Sequence, residues 1–277
     1  MSKQTTIPSF LYGTAWKEDR TQALVELALA EGFLGIDTAN QRKHYDEARV
    51  GRGIITTIEN GMLSREDLFV QTKYTYQRGQ DHRLPYDPNA SITDQVLQSF
   101  ARSLEHLQTT YIDSYVLHGP STRVGLTSDD RAAWKAMEDI HASGRARHLG
   151  ISNIGLDQLK ALCDDAKVKP GFVQNRCYAA KGWDRDIRAF CTANGIIYQG
   201  FSILTANRAV TGNPVLTGIA KRHGRSLNQV IFRFALDVGM VVLTGTTNAQ
   251  HMKADLAVAD FTLSEDEVST IENLMMA

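Results

Sequence analysis

Four side chains have types and spacing that could deliver a proton to a forming alkoxide. Asp37 follows the apolar run "FLGI", and Tyr45 comes eight residues later. Lys73 follows "LFVQT", and His118 ends "IDSYVLH". A phenol with its ordinary pKa of ~10 is a weak acid at neutral pH, and a nearby ammonium lowers that pKa. A carboxylate would orient the ammonium, and an imidazole could donate a hydrogen bond to a carbonyl oxygen. This set predicts protonation of a carbonyl that receives a hydride.

Each of these residues also has an ordinary structural interpretation. Asp37 could cap a turn, and Lys73 could be a solvated loop lysine. His118 could be a core histidine, and Tyr45 could fill space with a satisfied hydroxyl. Their joint placement on three consecutive predicted strand ends and one adjoining loop favours a site. His44 is the rival acid.

Eight short apolar segments, bounded by glycine or polar residues, predict strands that must position these side chains. Several are apolar at consecutive positions, which is typical of a parallel sheet buried on both faces. The predicted strands cover residues 9–13, 33–37, 68–72, 111–118, 146–152, 171–175, 195–201 and 240–245.

Amphipathic segments between the strands predict helices. The segment at 91–108 has one apolar stripe at helical spacing. Ser or Thr followed three residues later by an acid or an amide predicts a capped helix start, and Gly239 predicts a helix end. The stripe contains Ile92, Val96, Phe100, Leu104 and Leu107, and the predicted caps are Ser91 with Asp94, Ser226 with Gln229, and Ser264 with Glu267.

This alternation fits a doubly wound sheet or a (β/α)8 barrel. A dinucleotide-binding fold should carry G-x-G-x-x-G after an early strand, whereas "GRGI" at 51–54 lies in a predicted helix and has no third glycine. The sequence therefore predicts a (β/α)8 TIM barrel, with residues 1–277 as a single domain. The active site of such a barrel lies at the carboxyl ends of the strands.

Composition excludes several functional classes. A net charge of -1 argues against bulk attraction to nucleic acid or to an anionic membrane. The three cysteines are scattered, so we expect neither a disulfide framework nor a metal site. The N-terminal stretch has no apolar run typical of a signal peptide, and no segment approaches a membrane span, so we expect a cytoplasmic protein.

From about residue 8 almost to the C terminus, the sequence resembles the aldo-keto reductases. The similar stretches include "GFLGIDTA", "HYDEARVG", "LFVQTK", "YIDSYVLHGP", "GRARHLGISN" and "GFSIL". The resemblance implies a catalytic tetrad of Asp37, Tyr45, Lys73 and His118, with Tyr45 as general acid. The family often places its tyrosine five residues after the aspartate, where this chain has Arg42, so we expect a short loop insertion before the helix.

The resemblance also implies NADP(H) bound across the top of the barrel. Ser152, Asn153 and Gln174 would hold the nicotinamide carboxamide, and Phe201 would stack on its ring in place of the usual tyrosine. The two cations that usually bind the 2′-phosphate are replaced by Gly245 and His251. These replacements weaken the case for NADP(H) over NAD(H), so NADP(H) is favoured on the family pattern alone, with NAD(H) as the alternative. The other implied cofactor contacts are Asp37, Ser202, Leu204, Asn207, Thr246, Thr247 and His251.

The implied function is reduction of aldehydes or ketones, with a small-molecule carbonyl substrate. We expect an open pocket with walls from Trp16, Tyr74 and Tyr76, because the sequence ends soon after its last predicted helix. We expect a monomer or a weak dimer. The alternative is a non-catalytic, nicotinamide-binding regulatory or partner protein of the same fold.

Overall fold

Eight short parallel strands close into a barrel in the order of the chain, with β8 paired to β1. The computed structural model describes residues 6–276. Burial on both faces explains why the strands are apolar at consecutive positions. The strands are β1 Phe10–Gly13, β2 Gly35–Asp37, β3 Phe69–Tyr74, β4 Ile112–Leu117, β5 Ala146–Ser152, β6 Phe172–Arg176, β7 Ile197–Phe201 and β8 Val241–Thr244.

All eight predicted strands and the barrel are confirmed, with small differences at the strand ends. β3 runs on to Tyr74, so Lys73 lies within the strand rather than after it. A charged residue can continue a buried strand here because Asp37 neutralises its ammonium. His118 follows the last residue of β4, as predicted.

Helices surround the barrel within the described range. The α-helices are α1 Thr21–Ala30, α2 Glu47–Glu59, α3 Ile92–Leu107, α4 Ser128–Ala142, α5 Leu156–Asp165, α6 Arg185–Ala193, α7 Arg208–Thr211, α8 Pro214–His223, α9 Leu227–Asp237, α10 Ala249–Leu256 and α11 Glu265–Asn273. Short 3-10 helices lie at Glu18–Arg20, Arg65–Asp67, Gln77–Gly79, Ala179–Asp184 and Ala257–Asp260.

The predicted helix caps are confirmed. Ser91, Ser226 and Ser264 each accept a hydrogen bond from the backbone N–H three residues on. α9 ends just before Gly239, whose φ of 80° is the left-handed conformation that favours glycine. Asp46 is the cap of α2 and accepts from the N–H of Arg49, so the start of this helix fixes the residue before it, Tyr45.

The side chains inside the barrel change from apolar to polar along its axis. At the amino ends of the strands, five apolar side chains form a buried cluster, which we call the apolar plug: Leu11, Phe69, Phe172, Val241 and Leu243. Above it lie three buried glutamines, which we call the amide layer: Gln71, Gln174 and Gln199. Gln174 and Gln199 are register partners on β6 and β7. The amide layer separates the plug from the carboxyl ends of the strands.

Composition led to expectations about membrane spans, metal sites and disulfides, which can be compared with the described residues. No helix within 6–276 is long and apolar enough to cross a membrane. The same residues contain no group of three His, Cys, Asp or Glu side chains that could hold a metal ion. Cys163, Cys177 and Cys191 are buried and unbridged. Residues 1–5, part of the stretch judged for a signal peptide, lie outside the described residues.

Candidate active site

A buried ion pair lies at the upper end of the barrel interior. Lys73 Nζ, at the end of β3, donates to Asp37 Oδ1 at 2.6 Å and Oδ2 at 2.7 Å, and to the Thr38 carbonyl at 2.8 Å. Burial lowers the pKa of Lys73, and the charge and hydrogen bonds of Asp37 oppose that shift. Adjacent strand ends thus bring two of the predicted catalytic residues into direct contact.

The amide layer holds the Asp37 carboxylate from below. Asp37 Oδ1 accepts from Gln71 Nε2 at 2.7 Å and from Gln174 Nε2 at 3.0 Å. Gln199 Oε1 accepts from the same two amides at 2.8 and 2.9 Å, and Gln199 Nε2 returns a bond to Gln71 Oε1 at 3.0 Å. Every member of the layer is therefore bonded to another member, and two members are bonded to Asp37.

Gln71 and Gln199 were not among the predicted site residues, although the sequence contains a signal for them. Gln71 lies two residues before Lys73, and Gln199 lies two residues before Phe201. Residues two apart on a strand share a face, so both glutamines had to point into the barrel with the residues above them. An amide on an inward position of a buried strand needs polar partners, which indicates a polar interior.

The loop between β2 and α2 brings Tyr45 over the ion pair. The N–H groups of His44 and Tyr45 both donate to the Gln41 carbonyl, at 3.1 and 2.9 Å, which tightens the loop into a turn. The Tyr45 ring centroid then lies 5.6 Å from Lys73 Nζ and 6.1 Å from the His118 ring. Despite the longer loop, the ring of Tyr45 lies beside the other catalytic candidates.

The other polar residues of this loop point elsewhere. Arg42 pairs with Asp46 at 2.9 Å, at the start of α2. The His44 ring packs on Trp16, with centroids 3.9 Å apart. The hydrogen bonds that Lys73 donates within residues 6–276 go to Asp37 and Thr38. Lys73 Nζ thus lies over the Tyr45 ring, while its donors are engaged by Asp37 and Thr38.

This arrangement corrects the expected effect on the Tyr45 pKa. We expected the nearby ammonium to lower it, but burial, and then the Asp37 charge, raise the pKa of Tyr45 well above its usual value. The reason is that burial disfavours the phenolate and that the Asp37 carboxylate, paired with Lys73, repels it. Tyr45 therefore keeps its proton at neutral pH, as a proton donor must.

His118 is held by a residue that the sequence analysis also missed. Its Nδ1 lies 2.7 Å from the Thr75 hydroxyl, just past the end of β3. Burial, and then the charge of Lys73, lower the pKa of His118 to about 3, so the ring is neutral. If Thr75 donates to Nδ1, one bond satisfies the buried hydroxyl hydrogen and leaves the ring proton on Nε2. The sequence signal for this residue was the position of Thr75, a hydroxyl side chain two residues after Lys73.

Two cavities open beside these residues. One, of about 340 Å³, is lined by Tyr45 and by the exposed Trp16. The other, of about 440 Å³, is lined by His118 and Tyr76. Tyr74 is fully buried against Tyr76 and Tyr86 in the core, and it lines neither cavity. We therefore do not carry Tyr74 forward as a substrate contact.

The three residues expected at the carboxamide lie together at the ends of β5 and β6. The Ser152 hydroxyl donates to the Gln174 carbonyl at 2.6 Å, and Asn153 Nδ2 donates to the His118 carbonyl at 2.8 Å. Gln174 Nε2 donates to Asp37 and to Gln199, whereas no hydrogen bond within the described residues reaches Gln174 Oε1. This group fits a nicotinamide because an open acceptor suits a carboxamide N–H.

The loop after β7 contains the next set of predicted cofactor contacts. Phe201 ends β7 and is partly exposed, Ser202 has a positive φ of 55°, and Leu204 packs partly buried on the core. Asn207 is buried, and its amide bonds the Ala179 N–H at 2.7 Å and the carbonyls of Cys177 and Ile203. Asn207 thus holds the loop in place, and its contact with a cofactor stays a prediction.

A buried lysine that the sequence analysis did not consider lies at the end of β8. Thr246 is partly exposed, whereas Thr247 and His251 are exposed around the start of α10. Lys17 Nζ donates to the Gly245 carbonyl, and a Cβ at Gly245 would lie 3.4 Å from that nitrogen. Gly245 replaces the cation that the family usually has at this strand end. Lys17, from the loop after β1, brings a different cation to the same place.

A sequence model of the Aldo/keto reductase family matches residues 9–275. The chain is 30% identical to an aldo-keto reductase of Bombyx mori, over 91% of this chain and 82% of the relative. It is 32% identical to deoxymugineic acid synthase 1 of Zea mays, over 97% of this chain and 88% of the relative. The crystal structure of the Bombyx mori protein in complex with NADP has a TM-score of 0.81 and 26% identity, covering 97% of this chain and 89% of that one.

Proposed function

The chain belongs to the aldo/keto reductase family, and we propose that it reduces aldehydes or ketones to alcohols with NADP(H), using Tyr45 as the proton donor. The observation that carries this proposal is the approach of the Tyr45 ring to Lys73 Nζ, at 5.6 Å, and to the His118 ring, at 6.1 Å. A protonated phenol beside a neutral imidazole and a buried ion pair suits protonation of an alkoxide.

Each catalytic residue has a separate part in this reaction. His118, neutral and bonded through Nδ1, points its Nε2–H at the carbonyl oxygen and orients it. Tyr45 gives its phenolic proton to that oxygen as negative charge develops there. Lys73 stabilises the resulting phenolate, and Asp37 holds Lys73 in position. A bound nicotinamide supplies the hydride that reaches the carbonyl carbon.

Several residues are proposed to hold the cofactor. Gln174 Oε1 and Asn153 would bind the carboxamide, and Phe201 offers a flat face for the ring. Lys17 would add a positive charge near a bound nucleotide phosphate, at the strand end where Gly245 has no side chain. The Bombyx mori relative was crystallised with NADP, which favours NADP(H) over NAD(H) for this chain.

The direct test replaces the Tyr45 hydroxyl alone. In Tyr45→Phe, we expect kcat to fall by about 10²- to 10⁴-fold, because the proton donor is lost. Quenching of protein fluorescence on titration with NADPH should persist, since the ring and its neighbours remain. The matched control is His44→Gln in the adjacent residue, which should retain turnover.

Three results would overturn parts of this proposal. Undiminished turnover in Tyr45→Phe would remove Tyr45 from its role, and loss of turnover only in His44→Gln would give that role to His44. Tight nucleotide binding with negligible turnover over a panel of aldehydes and ketones would favour the non-catalytic partner protein. Tighter binding of NADH than NADPH in parallel titrations would overturn the cofactor preference.

A further inference from the structure

We propose that the substrate of this enzyme is an aldehyde or ketone that also carries a carboxylate, bound in the cavity beside His118. The proposal rests on the proposed function, because it assumes that His118 faces the reacting carbonyl. It adds the chemical class of the remainder of the substrate. Its basis is the charge distribution of this cavity and the position of two arginines, Arg78 and Arg123, on its wall.

The cavity lies between the loops that follow β3, β4 and β5. It measures about 440 Å³, and His118 and Asn153 line it together with Tyr76 from the wall of the first loop. This volume lies within the range of small-molecule sites, roughly 300–1,000 Å³. A carbonyl bonded to His118 would therefore leave the rest of a small substrate inside the cavity.

Arg78 and Arg123 are the cationic side chains on its lining, and no aspartate or glutamate among the described residues lines it. The Arg78 guanidinium donates to the carbonyls of Pro120 and Ser121, which fixes its position and joins two of the loops. Both partners are neutral, so the charge of Arg78 is not cancelled by them. A guanidinium has five N–H donors, which leaves donors for a ligand.

One acidic residue beside this wall is already engaged in hydrogen bonds. Asp130 accepts from the Tyr76 hydroxyl at 2.9 Å, the Ser121 N–H at 2.6 Å and the Thr127 N–H at 2.9 Å. These hydrogen bonds hold the pKa of Asp130 below its usual value, against the effect of burial, so it is ionised and bonded to the loops that follow β3 and β4. Its hydrogen bonds are to neutral donors and leave both arginines available.

The neighbouring cavity beside Tyr45 differs in charge. Its lining contains cations, but also Glu18, Asp19 and Asp46, and Asp46 pairs with Arg42 at 2.9 Å. Its charges therefore cancel in large part. Of these two cavities, the one beside His118 has cations and no acids among the described residues of its lining, so it should favour an anionic substrate over a neutral one.

A carboxylate matches the geometry of these arginines because a guanidinium binds its two oxygens with parallel N–H bonds. The carbonyl oxygen would then bond His118 while the carboxylate bonds Arg78 and Arg123 across the cavity. Two anchored ends would fix which carbonyl of a substrate lies at His118. Both arginines are largely exposed, so the attraction should weaken as salt is added.

The test compares succinic semialdehyde with its methyl ester, which has the same carbonyl and no charge. With NADPH in excess, we expect kcat/KM of the wild type to favour the semialdehyde by about tenfold, as for hydrogen bonds to a charged group. Arg78→Gln and Arg123→Gln should each reduce the preference, and the double variant should abolish it. Arg102→Gln, an exposed arginine of α3 paired with Glu105 at 2.8 Å, is the matched control and should keep it.

Turnover of the ester reports whether each variant still folds and catalyses. Equal kcat/KM for the two substrates in the wild type would overturn the inference and leave the reductase function intact. A preference that survives in the double variant would also overturn it. If neither substrate, nor any other carbonyl compound, is reduced by the wild type, the proposed function itself fails and the inference falls with it.

Discussion

The two ends of the barrel interior are built from opposite kinds of side chain. At the amino ends of the strands, the apolar plug packs edge to face, with the rings of Phe69 and Phe172 5.5 Å apart. One layer above, Gln71 and Gln199 exchange hydrogen bonds at 2.8 and 3.0 Å, and Gln71 also donates to Asp37 of the ion pair in the candidate active site. Barrels of this type usually fill all their inner layers with branched apolar residues.

The difference shows how the two ends contribute to folding and to chemistry. Apolar burial is non-directional, so the plug gains stability from area and from close packing. The amide layer gains little net stability from hydrogen bonds that replace bonds to water, but it constrains the carboxylate of Asp37 from two directions. We therefore expect substitutions in the plug to change stability, and those in the amide layer to change both stability and catalysis.

The largest effect is expected from Phe172→Ala in the plug. Removing a buried ring leaves a cavity, and we expect the free energy of unfolding to fall by about 3–5 kcal/mol. Urea unfolding followed by circular dichroism measures this loss. The kcat per folded molecule should stay within about twofold, because the plug is separated from Asp37 by the amide layer. A large fall in kcat with unchanged stability would contradict the comparison.

The strands and the barrel were predictable from sequence because their signals are local. Consecutive apolar residues in short runs marked the strands, and serine caps such as Ser91 and Ser226 marked the helix starts. The end of β3 was set two residues too early, because a lysine within a buried strand is unfavourable unless a partner neutralises it. That partner, Asp37, lies on another strand, and a local pattern does not contain it.

A smaller effect is expected from the amide layer, and a double-mutant cycle measures it. Gln71→Leu and Gln199→Leu should each cost about 1–3 kcal/mol in unfolding free energy, because each leaves a buried amide without its partner. The double variant should cost less than the sum, since it removes both members of the pair. Gln71→Leu should also lower kcat, because Asp37 loses one of its donors.

Additive losses in that cycle would mean that the two amides do not depend on each other. An unchanged kcat in Gln71→Leu would mean that Lys73 and Gln174 suffice to hold Asp37. The control is Gln22→Leu on α1, whose amide bonds Glu26 at 3.0 Å on the outer surface. This variant should change neither quantity, because its partners Glu26 and Arg52 can bond water in place of the lost amide.

The candidate site was only partly predictable, for a reason that its residues make clear. The four tetrad positions were predicted from strand ends and from the family resemblance, and the structure brings the Tyr45 ring beside Lys73 and His118. Lys17 and Thr75 were missed, since each acts on a residue distant in sequence. Lys17 reaches Gly245 across the closure of the barrel, a contact that exists only once β1 pairs with β8.

The smallest effect is expected from Thr75→Val, which removes the hydroxyl bonded to His118 and keeps the shape of the side chain. We expect kcat/KM to fall by about tenfold, because one hydrogen bond no longer holds the neutral ring with its proton on Nε2. Since the pKa of His118 is about 3, the ring stays neutral, and the loss should be the same from about pH 5 to pH 9.

Thr75→Ser is the conservative control, because it restores the hydroxyl and should recover most of the activity. Nitrogen chemical shifts of His118 in the ¹⁵N-labelled protein report the tautomer directly, independent of turnover. The wild type and Thr75→Ser should show the proton on Nε2, and Thr75→Val should show a mixture of tautomers. A wild-type ring protonated on Nδ1 would mean that Thr75 accepts the bond, and His118 would then offer the carbonyl no donor at Nε2.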